Sequence, residues 1–252
     1  MFASRDRWAG AEGIVEVAFT DRHGGVSTPP YETLDLSRSR PERADEVRAN
    51  FALLADELGA GAVMSMRQVH GARVEVVNAA HESTPECDAL VTSVAGLALC
   101  VRVGDCVPIV LADRSCGVVA VAHAGRPGVC NGVVPAVLAA MRAEGADQVV
   151  AWVGPHICGG CYEVPAAMRA EVSALAPVAF ACTTRGTPAV DIGAAVTAAL
   201  LEGGCTVYDR SRCTAESADL YSYRRDGPRS GRSAGLAVIG ATPSQPSQPS
   251  HG

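Results

Sequence analysis

Apolar positions along this chain fall mostly into short runs with a period near two, interrupted by longer stretches with a helical period. Gly13–Thr20 (GIVEVAFT) alternates as a half-buried strand does. Between Glu42 and Leu58 the period changes. Val47, Phe51, Leu54, Ala55 and Leu58 recur at helical spacing and Gly59 supplies a stop, which predicts an amphipathic helix. Ala62–Val69 and Arg73–Val77 read as strands meeting at His70-Gly71, where glycine permits a sharp turn. Four apolar runs follow: Cys87–Thr92, Leu97–Val103, Val107–Ala112 and Val118–Ala122. The gaps between them leave no room for crossover helices, so antiparallel or mixed sheet is predicted.

In the second half, Asn131–Glu144, Pro165–Leu175 and Asp191–Leu201 carry helical patterns, with Pro135 in a first turn and Asp191 as an N-cap. Val149–Val153, Cys205–Tyr208 and Leu236–Gly240 read as strands, whereas Val178–Val190 fits neither period. The final segment, Thr242–Gly252 (TPSQPSQPSHG), has no apolar residues and predicts a disordered tail. The expected organisation is one mixed α/β domain over residues 1–241, with several sheet segments and helices outside, rather than a regular doubly wound fold.

Composition changes this picture little. A chain of 252 residues can bury a sizeable core. Its formal net charge of −6 gives no general attraction to nucleic acid or to anionic membrane. The cations are arginines, so anions would be held site by site, at spots such as Arg224-Arg225. No apolar run reaches spanning length without charge or glycine, and the N-terminus has no secretory pattern, so a cytoplasmic protein is expected. Ten cysteines scattered through such a chain are expected to be reduced. Cys158 and Cys161 form a lone CxxC in HICGGCYEV; a zinc knuckle and a redox motif are both open, and two small residues in a tight glycine turn is the preferred reading.

Candidate chemistry gathers between Met66 and Gly128. His70, Cys106 and His123 each end an apolar run next to glycine or a turn, where rigid backbone can aim a side chain into a cleft. One thiolate and two imidazoles suit zinc with a fourth position open. A nucleophilic Cys106 with His123 as base needs the same proximity. Asp105 precedes Cys106 and is a candidate for general acid–base work or for orienting a ligand, or is simply a turn residue. Arg67 and Arg126 flank two of these positions, and a guanidinium fork matches phosphate oxygens.

Several motifs then occur in one order: FTDRHGGVS, QVHG (Gln68–Gly71), CDALVT (Cys87–Thr92), GDCVP (Gly104–Pro108), HAG (His123–Gly125), GPHICGGCYEV, and CT followed by YSYRRDGPRSGR. Together they resemble the YfiH-type laccase-domain family, across nearly the whole chain except the tail. The resemblance implies mixed sheets sandwiched between helices, similar to a toxin-type cysteine hydrolase. It implies zinc on His70, Cys106 and His123, and phosphorolysis of adenosine, inosine, guanosine or methylthioadenosine with inorganic phosphate as co-substrate, together with hydrolytic adenosine deamination. It also raises two alternatives: a copper-dependent polyphenol oxidoreductase, disfavoured by a total of only six histidines, and a peptidoglycan-precursor editing enzyme or amidase using Cys106. Purine nucleoside and phosphate are the expected partners of a monomer. The chain departs from the family pattern at Gly104, at HAGRPG in place of HAGWRG, and at His156 and Cys158. These changes spare the metal ligands but alter the loop after His123.

Overall fold

Two β-sheets face each other, and helices cover the outer side of each, in a computed structural model that describes residues 1–10, 13–80, 83–113 and 115–240. In chain order the elements are β1 (Phe2–Gly10), β2 (Gly13–Thr20), α1 (Ala44–Leu58), β3 (Ala62–Ser65), β4 (Val74–Val76), β5 (Ala89–Thr92), β6 (Leu97–Val103), β7 (Val107–Asp113) and β8 (Val118–Ala124). There follow α2 (Arg126–Cys130), α3 (Val133–Ala143), β9 (Val149–Val153), α4 (Ala166–Leu175), β10 (Phe180–Cys182), β11 (Pro188–Val190), α5 (Ile192–Glu202), β12 (Thr206–Asp209), α6 (Tyr223–Asp226) and β13 (Ser233–Ile239). The first sheet has the order β1-β2-β13-β6-β3 and the second β12-β9-β7-β8-β5-β4, while β10 and β11 form a separate hairpin.

The period of two in the strands assigns side chains to layers. On β8, Val119 and Val121 enter the core between the sheets, while Val118, Ala120 and Ala122 face the helical layer with Val133, Val137 and Leu138 of α3. On β6, Leu97, Leu99 and Val101 enter the inter-sheet core, while Ala98 and Cys100 face Phe51 and Leu54 of α1. Strands buried on both faces explain the nearly continuous apolar runs in the sequence. At about 1.5–3 kcal/mol for each fully buried large aliphatic side chain, the inter-sheet core is a rigid platform for the loops at its ends.

The expected mixed α/β architecture with helices outside is therefore present, with local differences. Strand β1 carries no clean apolar alternation, because it is an edge strand. Its Arg5 and Arg7 pair with Glu16 on β2, and charge on an edge strand discourages further pairing. The run expected over Ala62–Val69 ends at Ser65. Val178–Val190, which fits neither period, contains the β10–β11 hairpin. The HAGRPG segment, expected as a loop after His123, leads directly into the short helix α2 with Pro127 in its first turn, where no N–H is needed. Asp191 caps α5 as expected, accepting from the Ala194 N–H at 2.8 Å. His81 and the Thr242–Gly252 tail lie outside the described residues.

Candidate metal centre and cavity

The chain passes from the first sheet to the second twice in quick succession, between β3 and β4 and between β6 and β7. Both crossings occur at the same end of the inter-sheet core, and each contains a non-glycine residue with positive φ: His70 at 61° and Asp105 at 96°. Such conformations are costly for residues other than glycine and concentrate at functional sites. His123 reaches the same place from β8, where it shares the parity of Val119 and Val121 and so points between the sheets.

His70, Cys106 and His123 converge, with donor atoms all within 4.8 Å of one another. Cys106 Sγ lies 3.8 Å from His70 Nε2. A tetrahedral zinc with bonds of ~2.3 Å to sulfur and ~2.05 Å to nitrogen would hold such a pair ~3.6 Å apart, so the donors are already near ligating separation. Glycine at 125 makes this possible. A Cβ there would sit 2.6 Å from His70 Cδ2 and 3.1 Å from Cys106 Sγ.

Asp88, which sequence reasoning did not single out, holds the arrangement together. Fully buried just before β5, it accepts from the backbone N–H groups of His70 (2.9 Å), Gly71 (2.7 Å) and Val69 (3.2 Å), and its Oδ1 lies 2.8 Å from His123 Nδ1. A carboxylate only accepts, so Nδ1 carries the proton and Nε2 is left for a metal or for Cys106. Burial pushes the Asp88 carboxyl up, but the His123 hydrogen bond and the Gly71 and Val69 N–H groups outweigh it and hold the group below its usual range. The sequence signal was there: an acidic residue directly before the apolar run Ala89-Leu90-Val91.

Without metal, the same contacts make an ion pair. Burial opposes a thiolate at Cys106, yet hydrogen bonds from His123 and His70 prevail and lower its pKa to about 6. Burial likewise opposes charge on His123, but Asp88 and Cys106 together raise it to about 9. A low-pKa thiolate is both a soft metal ligand and a nucleophile.

The three donors open into a cavity of about 800 Å³, within the range that small-molecule sites occupy. Arg38, Arg67, Arg102, Arg126, Arg224 and Arg232 line it, and among the described residues Asp105 is the acidic one in its walls. A chain that is acidic overall thus has a cationic cavity. Arg102 lines it with a buried Nε that has no hydrogen-bond partner. Of the two arginines expected from sequence, Arg67 sits exposed at the rim, paired with Glu86. Arg126 is half-buried at the start of α2 and faces Tyr162, whose hydroxyl pKa is pushed up by burial and by Cys106, with Arg126 and Arg224 opposing the shift. Asp105 is buried, and its Oδ1 and Oδ2 accept from Thr214 Oγ1 and the Arg224 N–H, each at 2.6 Å. Two of roughly four lone-pair positions are thereby used. Gln68 continues the sheet where β3 stops: its amide accepts from Arg102 N at 3.0 Å and donates to Arg102 O at 2.7 Å, fixing the approach to His70. His156 is outside the cavity lining, bonded through Nδ1 to Gly154 O at 2.8 Å. His23 is an exposed turn residue.

The model of the multi-copper polyphenol oxidoreductase laccase family matches residues 16–240. This chain belongs to that family. It is 50% identical over 248 residues to a purine nucleoside phosphorylase of Streptomyces coelicolor, an alignment covering 95% of this chain and 100% of the relative. It is 46% identical over 241 residues to one from Streptomyces griseus, covering 92% and 98%. Among solved structures, a Neisseria meningitidis protein superposes with a TM-score of 0.80 at 32% identity, over 94% of this chain and 99% of that one. Bacillus licheniformis YfiH shares the fold, with a TM-score of 0.81 at 24% identity over 89% and 92%. The altered HAGRPG segment puts Arg126-Pro127 at the start of α2, directly after the glycine on which the donor cluster closes.

Proposed function

We propose that this protein is a cytoplasmic, monomeric, zinc-dependent purine nucleoside phosphorylase. It would act on adenosine, inosine, guanosine or methylthioadenosine with inorganic phosphate, and would also deaminate adenosine by hydrolysis. One observation carries the reading: a His₂Cys donor set opens into an arginine-lined cavity large enough for a nucleoside and an anion. The relatives named purine nucleoside phosphorylase support it.

Zinc, when bound by His70, Cys106 and His123, supplies Lewis-acid polarisation of a substrate or water oxygen. The chain's own residues supply the rest. Arg126, with Arg67 at the rim, holds phosphate against the ribose, and the fixed guanidinium geometry orients one oxygen toward C1′. The new oxygen–C1′ bond forms as the C1′–N9 bond breaks, and the electron pair leaves with the purine, which takes up a proton. Asp105 is the candidate for moving that proton, its position set by Thr214 and Arg224. In deamination, water adds at C6 and ammonia departs. The test is incubation of zinc-loaded protein with adenosine, with and without phosphate. Ribose-1-phosphate and adenine should appear only with phosphate, and inosine in both. None of the three at any substrate level refutes the proposal.

Two observations favour other readings. A His₂Cys set also suits copper, so copper in stoichiometric multiples with phenol oxidation would displace zinc. The depressed Cys106 pKa suits a cysteine hydrolase, which predicts amide hydrolysis that resists chelators and is abolished by alkylation. Neither accounts for the cationic cavity.

A further inference from the structure

A second cluster of metal-capable side chains lies away from the first. The CxxC turn after β9 places Cys158 and Cys161 beside Cys213 and Glu216, from the loop after β12, with ligand atoms all within 4.8 Å of one another. None of the four lines the main cavity. The three thiols are free.

The backbone around them forms a tight turn. The N–H groups of Cys161 and Tyr162 both donate to Cys158 O at 3.0 Å, which turns the two sulfurs to one side. The Cys158 N–H points at Cys213 Sγ, 3.5 Å away, and ties the two loops together. Cys161 Sγ lies 3.4 Å from Glu216 Oε1. The turn is packed tightly: a Cβ at Gly159 would meet Asp191 Cβ at 3.0 Å and Ala181 Cβ at 3.1 Å. The loops are also joined by backbone, with His156 N donating to Arg212 O (3.1 Å) and Thr214 N to His156 O (3.0 Å).

We propose that Cys158, Cys161, Cys213 and Glu216 form a second, structural metal site that takes a zinc ion. Three sulfurs and one carboxylate oxygen complete a closed tetrahedral set. Sulfurs bound at ~2.3 Å in a tetrahedron stand ~3.8 Å apart, so side-chain rotation of less than about an ångström closes the cluster. A disulfide would use two thiols and leave a third thiol and a carboxylate without a role. The consequence for the cavity follows from connectivity. Tyr162, next to Cys161, lines it, and Thr214, next to Cys213, holds Asp105. A metal here clamps two loops that set the cavity wall, and does so independently of the His70 site.

The test uses full-length protein purified under reducing conditions, exposed to excess zinc and then exchanged into metal-free buffer. Wild type should retain about two zinc per chain, and Cys106→Ala and Cys213→Ser about one each. Alkylation with iodoacetamide, mapped by mass spectrometry on wild type, guards against misfolded variants. Zinc should slow modification of Cys158, Cys161 and Cys213 at least ~10-fold, as expected for ligated thiolates. Cobalt-substituted Cys106→Ala should still show thiolate charge-transfer absorption. The proposal is overturned if Cys106→Ala retains no zinc while folded, if the three thiols react equally with and without zinc, or if freshly purified protein carries a disulfide among them.

Discussion

Replacing Asp88 by asparagine changes almost nothing in shape and should nonetheless weaken the metal centre. The carboxylate accepts four hydrogen bonds, two on each oxygen: His70 N and His123 Nδ1 on Oδ1, Gly71 N and Val69 N on Oδ2. An amide has one acceptor oxygen. Whichever way Asp88→Asn settles, an NH₂ group faces two donors in a buried place. Each donor left unsatisfied costs about 1–3 kcal/mol, so for two donors a loss of about 2–6 kcal/mol of stability is expected, with the larger share if the His123 contact breaks. His123 also loses the negative charge that fixes its tautomer, and altering such a supporting contact lowers metal affinity about 10–100-fold. Zinc affinity, measured by competition with a chromophoric chelator, should fall by that factor. Chemical denaturation of metal-stripped protein should show the stability loss. An affinity within about threefold of wild type, a difference below ~0.7 kcal/mol, would refute the role assigned to Asp88.

Other perturbations separate the parts of the site. Gly125→Ala forces a methyl against His70 Cδ2 and Cys106 Sγ; zinc affinity should drop at least ~10-fold through displaced ligands, as a chelator competition would show, and unchanged affinity would contradict the packing argument. In metal-stripped protein, Cys106 alkylation should be half-maximal near pH 6 rather than near 9, since the depressed pKa keeps the thiolate as pH falls. Asp88→Asn should move that midpoint upward, because a less basic His123 is a weaker cationic partner; a midpoint that stays put speaks against the ion pair. Arg126→Ala should raise KM for phosphate about 10–100-fold with a smaller change in kcat, the loss expected for a charge-assisted contact. An unchanged phosphate KM would remove Arg126 from the anion site.

The sequence was most legible where burial is two-sided. The apolar runs at β6, β7, β8 and β9 show the strands because both faces meet a core. The three candidate donors, His70, Cys106 and His123, were visible because each ends such a run beside a turn. What stayed hidden depends on neighbours distant in sequence. Edge strand β1 is masked by arginines whose partner, Glu16, lies on the next strand. The role of Asp88 emerges only when β5 and β8 pair and bring it to His123. Arg102 carries a weak signal, a charge inside the run LALCVRV, whereas Arg38 reaches the cavity from a loop with no distinguishing pattern and Arg232 from the end of the YSYRRDGPRSGR motif, where nothing local singles it out from the other arginines. The CxxC turn is the glycine turn expected, but its meeting with Cys213 depends on parallel pairing of β12 with β9.

If the His70–Cys106–His123 centre supports phosphate-dependent cleavage of a purine nucleoside, its metal and its thiol should both be required for turnover. The direct measurement is phosphate-dependent release of hypoxanthine from inosine, followed in metal-stripped protein, in the same protein refilled with zinc, and in Cys106→Ala treated identically. Stripped protein should release none, zinc should restore release fully, and Cys106→Ala should release none. Release that proceeds at the wild-type rate in Cys106→Ala, or that does not require phosphate, would contradict this role of the centre.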